Sequence, residues 1–591
     1  MSKLESLVNE TELGGKTIGP PVALKRKLKA MPIGFFSLTQ NWSGNASNYH
    51  SCPIMSEPVQ LDCNKSWEIT NDKNSMAGTL SSHFASSGIK TIVFSQNKAH
   101  CESISDQIDD LSASAIYEFS SRETRLRKAA INEAGGDQYA ILPRPKGAVC
   151  HHGLLSPVER ALSESVFKRR SGGATIVATP TLAQGMNLPA EAVIIAGTKR
   201  YDASSKGQSV LEAHELLNAA GRSGRAGFRP EGIVVVITDK PISFQATDKG
   251  KELLGDFHSL RKSIFAKEDQ CLHVIDPIQL MLDAISQSQQ VPLGTPAYFL
   301  NRLPAEERQA EKASVKLLSR TLGFFLAKKR SEDQAYKSKI ELAAATRNQM
   351  LISTPAVTWM DRLASSNGLP AIVFQQLGLD LSADPHAATR SVTDWIKWIF
   401  WWFGKHPLLC NRLLRMKPLE QVFGKSSLNK GISKSILTDL ESMTLKFING
   451  AKLIEIESLL PTRPGGVGTC HRTRNFIQSV GLDLSYTLGL IPQTHRALHA
   501  SSEDVKTPLA MGVASACVRA GFCCPEQLAV SIRLKSEKLM EEQTTRVGVH
   551  EFYRKILPSL SPSDGFENFK SLQARVSAVV NVELEFGSIE S

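Results

Sequence analysis

Between residues 76 and 240, five short β-branched runs alternate with helix-like stretches, and this alternation limits the chain to few folds. The runs are Lys90–Ser95, Gly147–Cys150, Ala174–Ala178, Ala192–Ile195 and Gly232–Ile237. Helical patterns fall between them, near 98–111, 121–133, 157–170 and 210–220. Strands separated by helices cannot pair as hairpins, so they are expected to pair in parallel, with helices covering both faces of the sheet. In sheets of this kind ligands bind beyond the carboxyl ends of the strands. The loops after the runs therefore carry the functional weight.

Four of those segments hold chemistry. The first run ends in Ser95-Gln96-Asn97-Lys98, polar groups placed where a sugar-phosphate backbone could lie. The second leads into His151-His152-Gly153-Leu154-Leu155. Ser156 then caps a helix, with Glu159 completing a capping box. Gly153 lets backbone approach a phosphate. The third run delivers Thr179 and Thr181 into a loop that continues through Gly185 and Asn187, hydroxyls and N–H groups suited to phosphate oxygens. The fourth is Asn218-Ala-Ala-Gly221-Arg222-Ser-Gly224-Arg225-Ala-Gly227. Its arginines are three apart, and each follows a glycine. On a helix both guanidiniums would share one face and could grip a triphosphate. No spacing of cysteines or histidines indicates a metal site.

In this order the motifs resemble the second RecA-like domain of superfamily-two DEAD/DEAH-type helicases, in the branch of the Ski and archaeal repair helicases. That branch carries A-T-P-T-L-A-x-G-x-N-L-P, matched by Ala178 to Pro189, and Q-x-x-G-R-x-G-R, matched except that Asn218 replaces the glutamine. Phe94-Ser95 and His152-Gly153-Leu154 match two earlier motifs. The resemblance covers roughly 85–240 and extends weakly to 300, where the branch has a winged-helix domain. It implies that Arg222 and Arg225 are arginine fingers acting on ATP. Asn218, Gly221 and Gly224 would lie beside the same nucleotide, and Gly185 and Asn187 would couple it to strand movement. Ser95, His152, Gly153, Thr179 and Thr181 would hold the nucleic-acid backbone. Residues 199–211 would stand where the repair helicases have their strand-separating hairpin.

The implied cofactors are ATP and Mg2+, yet the chain has no G-x-x-x-x-G-K-[ST] and no Asp-Glu box ahead of these motifs. Gly14-Gly15-Lys16-Thr17 fails because Glu10 stands where the first glycine is needed. The expectation is the C-terminal half of a DNA or RNA helicase or translocase. Its first RecA-like domain would be missing or carried by a separate polypeptide, and the isolated chain would be inactive as an ATP hydrolase. A truncated fragment and a nucleic-acid-binding module without ATPase activity are the alternatives.

The remaining features set bounds. A net charge of +11 and a pI near 9.1 suit either a partner with a phosphate backbone or simply a basic soluble protein. Ten cysteines with irregular spacing and no apolar leader point to reduced thiols and a cytoplasmic setting. Residues 1–75 read as an irregular lead-in, with strand character near Gly34–Thr39. The RecA-like domain is expected over 76–242, a winged-helix or helical domain over 243–300, and a helical region over 301–591 in two packed units. Within it, Trp395, Trp398 and Trp402 fall on one face of a helix too short to span a membrane, so the helix is expected to be buried, with no membrane partner.

Overall fold

The computed structural model describes residues 29–30, 33–37, 49–56, 58–60, 62–63, 69–70, 73–111, 117–143, 148–180, 188, 190–202, 207–211, 213–224, 232–237, 277–287, 295–303, 310–349, 359–428, 431–462, 467–500, 505–536, 544–561 and 565–587. The chain divides into two compact units. One is Met1–Ile131 with Gly136–Leu272, and the other is Asn132–Gly135 with His273–Ser591.

The first unit is built on a five-stranded, all-parallel sheet. Its strands are β1 (Thr91–Ser95), β2 (Ala148–His151), β3 (Thr175–Ala178), β4 (Ala192–Ala196) and β5 (Ile233–Ile237), in the spatial order β5-β4-β1-β3-β2. β1 to β4 are buried along their whole length, so both of their faces must be apolar. Alternate side chains divide between two cores. Ile92, Phe94, Ile176, Val193 and Ile195 pack with Leu162, Val166 and Phe167 of α4 (Pro157–Lys168). Val93, Val177 and Ile194 pack with α1 (Lys73–Ser86) and α2 (Lys98–Leu111) through Ala77, Leu80, Ile104 and Ile108. Also in this unit are α3 (Ser121–Ala134) as far as Ile131, and α5 (Ala213–Ala220). This is the expected α/β RecA-like arrangement, followed by a mostly helical region.

The described residues of the lead-in form short antiparallel pairs. Ile33–Ser37 pairs antiparallel with Tyr49–Pro53, two shorter pairs flank it, and α1 already begins at Lys73. A hairpin joins Lys199–Asp202 to Gly207–Val210 at the place expected for one. Residues 238–276, most of the expected winged-helix segment, lie outside the described residues.

The second unit is helical, and its buried residues form three clusters. α6 (Val392–Lys405) lies in the largest of them. Ser391 and Asp394 form its capping box, and Trp395, Trp398 and Trp402 are buried as their shared face requires. Among the described residues no helix is long and apolar enough to cross a membrane.

Candidate functional site

Parallel register brings the expected loops to one edge of the sheet. Ser95 pairs with Ala196, Ala196 with Ile237, and Ala178 with both Phe94 and His151. Ser95, the His151–Gly153 loop and Thr179 therefore share the carboxyl edge.

Local chemistry fixes these residues. After β1, the Asn97 side chain accepts the Ala99 N–H at 3.0 Å, which turns the chain into α2. Lys98, the first residue of α2, is half-buried, and burial lowers the pKa of its ammonium. A methyl group on Gly153 would sit 3.9 Å from Lys98 Cε and 4.0 Å from Nζ, so this ammonium stands over the Gly153 backbone. The two histidines turn inward. His151 Nε2 is 3.1 Å from Glu164, and burial pushes its pKa down. His152 is buried, its Nδ1 accepting the Leu154 N–H at 3.3 Å and its Nε2 lying 3.2 Å from Glu102. It acts as a peg that shapes the loop, which leaves the backbone around Gly153 as the outward surface. The Ser156–Glu159 box then starts α4 as expected, and Glu159 also accepts the Ile141 N–H at 2.8 Å. Ser95 and Thr179 are buried, and Thr179 N–H donates to His151 O at 3.2 Å. Beyond β4, Lys73 lies across Gly197, whose φ of 95° sharpens the turn. Lysines over bare glycine backbone, with hydroxyls behind them, make an edge suited to phosphodiester oxygens.

The arginine segment is at the opposite edge. α5 ends at Ala220, so Arg222 lies in a turn just beyond the helix. Further along the turn, Gly224 adopts φ 64°, a conformation that favours glycine. The Gly224 N–H donates to Ala190 O at 3.2 Å, just before β4, and a methyl group on Gly232, just before β5, would lie 2.6 Å from Gly224 N. The turn is thus anchored at the amino ends of β4 and β5. Arg222 is half-buried there, and Asn218 and Gly221 are exposed. Arg225, Thr181, Gly185 and Asn187 lie outside the described residues.

A lysine the sequence reading passed over also marks this edge. Lys90 Nζ donates to the carbonyls of Phe167 at 2.7 Å, Gly173 at 2.8 Å and Arg169 at 2.9 Å, closing the C-terminal end of α4. Burial, then Arg169, pulls its pKa down to about 8, against a smaller opposite pull from Glu191. Arg169 in turn pairs with the buried Glu123 at 3.0 Å. Among the described residues no group of three or more His, Cys, Asp or Glu could hold a metal ion.

The RecA-like sheet thus carries phosphate-suited loops at one edge and a glycine–arginine turn at the other. No protein-family model matches the chain. It is 36% identical over 154 residues to the ATP-dependent DNA helicase Hel308 of Thermoplasma acidophilum, covering 26% of this chain and 21% of that protein. It is 36% identical over 92 residues to the RQC trigger complex helicase SLH1 of Saccharomyces cerevisiae, covering 16% and 5%. It is 29% identical over 171 residues to the exosome RNA helicase MTR4 of Mus musculus, covering 28% and 16%. Part of this chain is therefore homologous to Hel308 and Ski2-like helicases, and the matched stretch spans about a fifth or less of each relative's length.

Proposed function

We propose that this chain contributes the second RecA-like half of an ATP-driven DNA or RNA motor. The nucleic-acid backbone would run along the carboxyl edge, on Lys98 and the Gly153 backbone, with the buried Ser95 and Thr179 behind them and Thr181 following in sequence. Arg222 and Arg225 would meet the γ-phosphate of ATP from the amino edge, with Asn218, Gly221 and Gly224 alongside. A half-buried guanidinium on a glycine-flanked turn suits a triphosphate. The magnesium ligands and the phosphate loop would come from a first motor domain.

One observation carries the reading. The connection after β3 leaves the carboxyl edge at Thr179 and reaches the amino edge at Ala190, where its carbonyl holds Gly224. The two edges are about 15 Å apart, five residues of strand. The described ends of this connection thus lie one at each edge, and Gly185 and Asn187 fall between them in sequence, as a route from nucleotide to strand requires.

The test begins with intact complexes from the native cell, their stoichiometric partners identified by mass spectrometry. A partner with a Walker loop then allows ATP-dependent strand displacement to be measured. Arg222→Ala with Arg225→Ala should lower turnover by about 10³ while single-strand affinity holds. Unchanged turnover in that variant would refute the arginine role. Typical enzyme turnover by this chain alone, about 1–10³ per second, would refute the need for a first domain. Salt-sensitive binding with no such partner would favour a plain nucleic-acid-binding module.

A further inference from the structure

A groove in the helical unit, between α6 and α7 (Lys434–Ile448), carries chemistry independent of the sheet. α6 buries three of its four tryptophans and turns the fourth, Trp401, outward with 52% of its surface exposed. That indole forgoes the burial its neighbours gain. Lys397 and Lys405 lie four residues to either side, so all three share one helical face. Lys405 Nζ is 5.1 Å from the Trp401 ring centroid and is also paired with Asp380 at 2.5 Å.

The facing helix adds to the pattern. Lys434 lines the same cavity of about 540 Å³, followed by Thr438 and Glu441. The first turn of α7 has no acidic residue, so Lys434 adds to the positive end of the helix dipole instead of offsetting it. With Lys405 already paired to Asp380, two further ammonium groups, Lys397 and Lys434, share the groove with one carboxylate, Glu441. Among the described residues neither Lys397 nor Lys434 has an ion-pair partner within 4.0 Å.

We infer that this groove binds a single strand of nucleic acid, one base stacking on Trp401 and its flanking phosphates meeting Lys397 and Lys434. An exposed indole among lysines is the combination that holds unpaired strands, because every base offers a π-face and the backbone supplies negative charge. A duplex conceals those faces. The described lining of the groove comes from the helical unit, so the site stands or falls apart from the motor reading.

The test uses the full chain and fluorescent single strands of about twenty pyrimidines, in DNA and RNA forms, read by anisotropy across a salt series. Trp401→Ala should weaken binding about tenfold with the salt slope unchanged. Lys397→Gln with Lys434→Gln should lower the slope by about 1.4. Gly404 lines the groove, and a Cβ there meets nothing within 4 Å, so Gly404→Glu should fold normally and repel the strand. An iodouracil-bearing strand should photo-cross-link to the peptide that carries Trp401. Wild-type affinity in both Trp401→Ala and Gly404→Glu, or no cross-link on that peptide, would overturn the site. So would an acidic peptide that binds there when the oligonucleotides do not.

Discussion

The two edges of the sheet treat positive charge in opposite ways. At the amino edge Lys90 is spent inside the fold, its three protons taken by three carbonyls. At the carboxyl edge Lys98 stands half-buried over bare glycine backbone. Topology explains the difference. Crossover helices run antiparallel to the strands they connect, so helix C-termini gather at the amino edge and N-termini at the carboxyl edge. The first present carbonyls, which attract a structural cation. The second present N–H groups and a positive dipole, which attract an anionic ligand. Position in a parallel sheet, more than residue type, decides whether a lysine holds the fold or faces a partner.

Three substitutions or conditions bear on that contrast. The largest effect is expected at Lys90: Lys90→Met strands three carbonyls and should cost about 3 kcal/mol in denaturant unfolding, with nucleic-acid affinity retained in the folded fraction. A silent Lys90→Met would mean that the amino edge is not held by its charge. Next, Lys98→Ala should leave stability almost unchanged, weaken strand binding evenly across sequences and reduce the salt slope by about one. If it melted the domain instead, the division of roles would fail. The smallest effect concerns pH. Burial holds His151 below its usual 6.5, so below that pH the unfolded chain takes up a proton that the fold resists. Stability should therefore fall on acidification, and His151→Gln should flatten its part of the slope in melts at about pH 7.5 and about pH 5.5.

What could be read from sequence followed from local chemistry. β-branched runs placed all five strands to within about a residue, and Ser156 with Glu159 announced the start of α4. The tryptophan spacing placed the buried face of α6. What escaped was set by contacts or by where a helix ends. α1 carries Met76, Leu80 and Phe84 four residues apart, but small and polar neighbours such as Gly78, Ser81 and Ser82, buried beside them, dilute that stripe in the sequence. The arginine spacing suggested a helix, but α5 ends at Ala220 and Arg222 lies in the turn that follows. Lys98 over Gly153, and Lys90 on its three carbonyls, join residues far apart in the chain, which periodicity cannot pair. The placement of Trp401 opposite Lys434 needed the packing of α6 on α7.

The strand order also dictates a schedule. β1 is central in the sheet, yet it is synthesised before either of its neighbours, β3 and β4. Lys90, at its start, finds its first partners 77 residues downstream and another at 101. At ribosomal speed that is a wait on the order of ten seconds for an apolar strand with both edges open. A nascent chain of this kind needs shelter while it is made, and slow refolding with a strong tendency to aggregate should follow wherever that shelter is withheld.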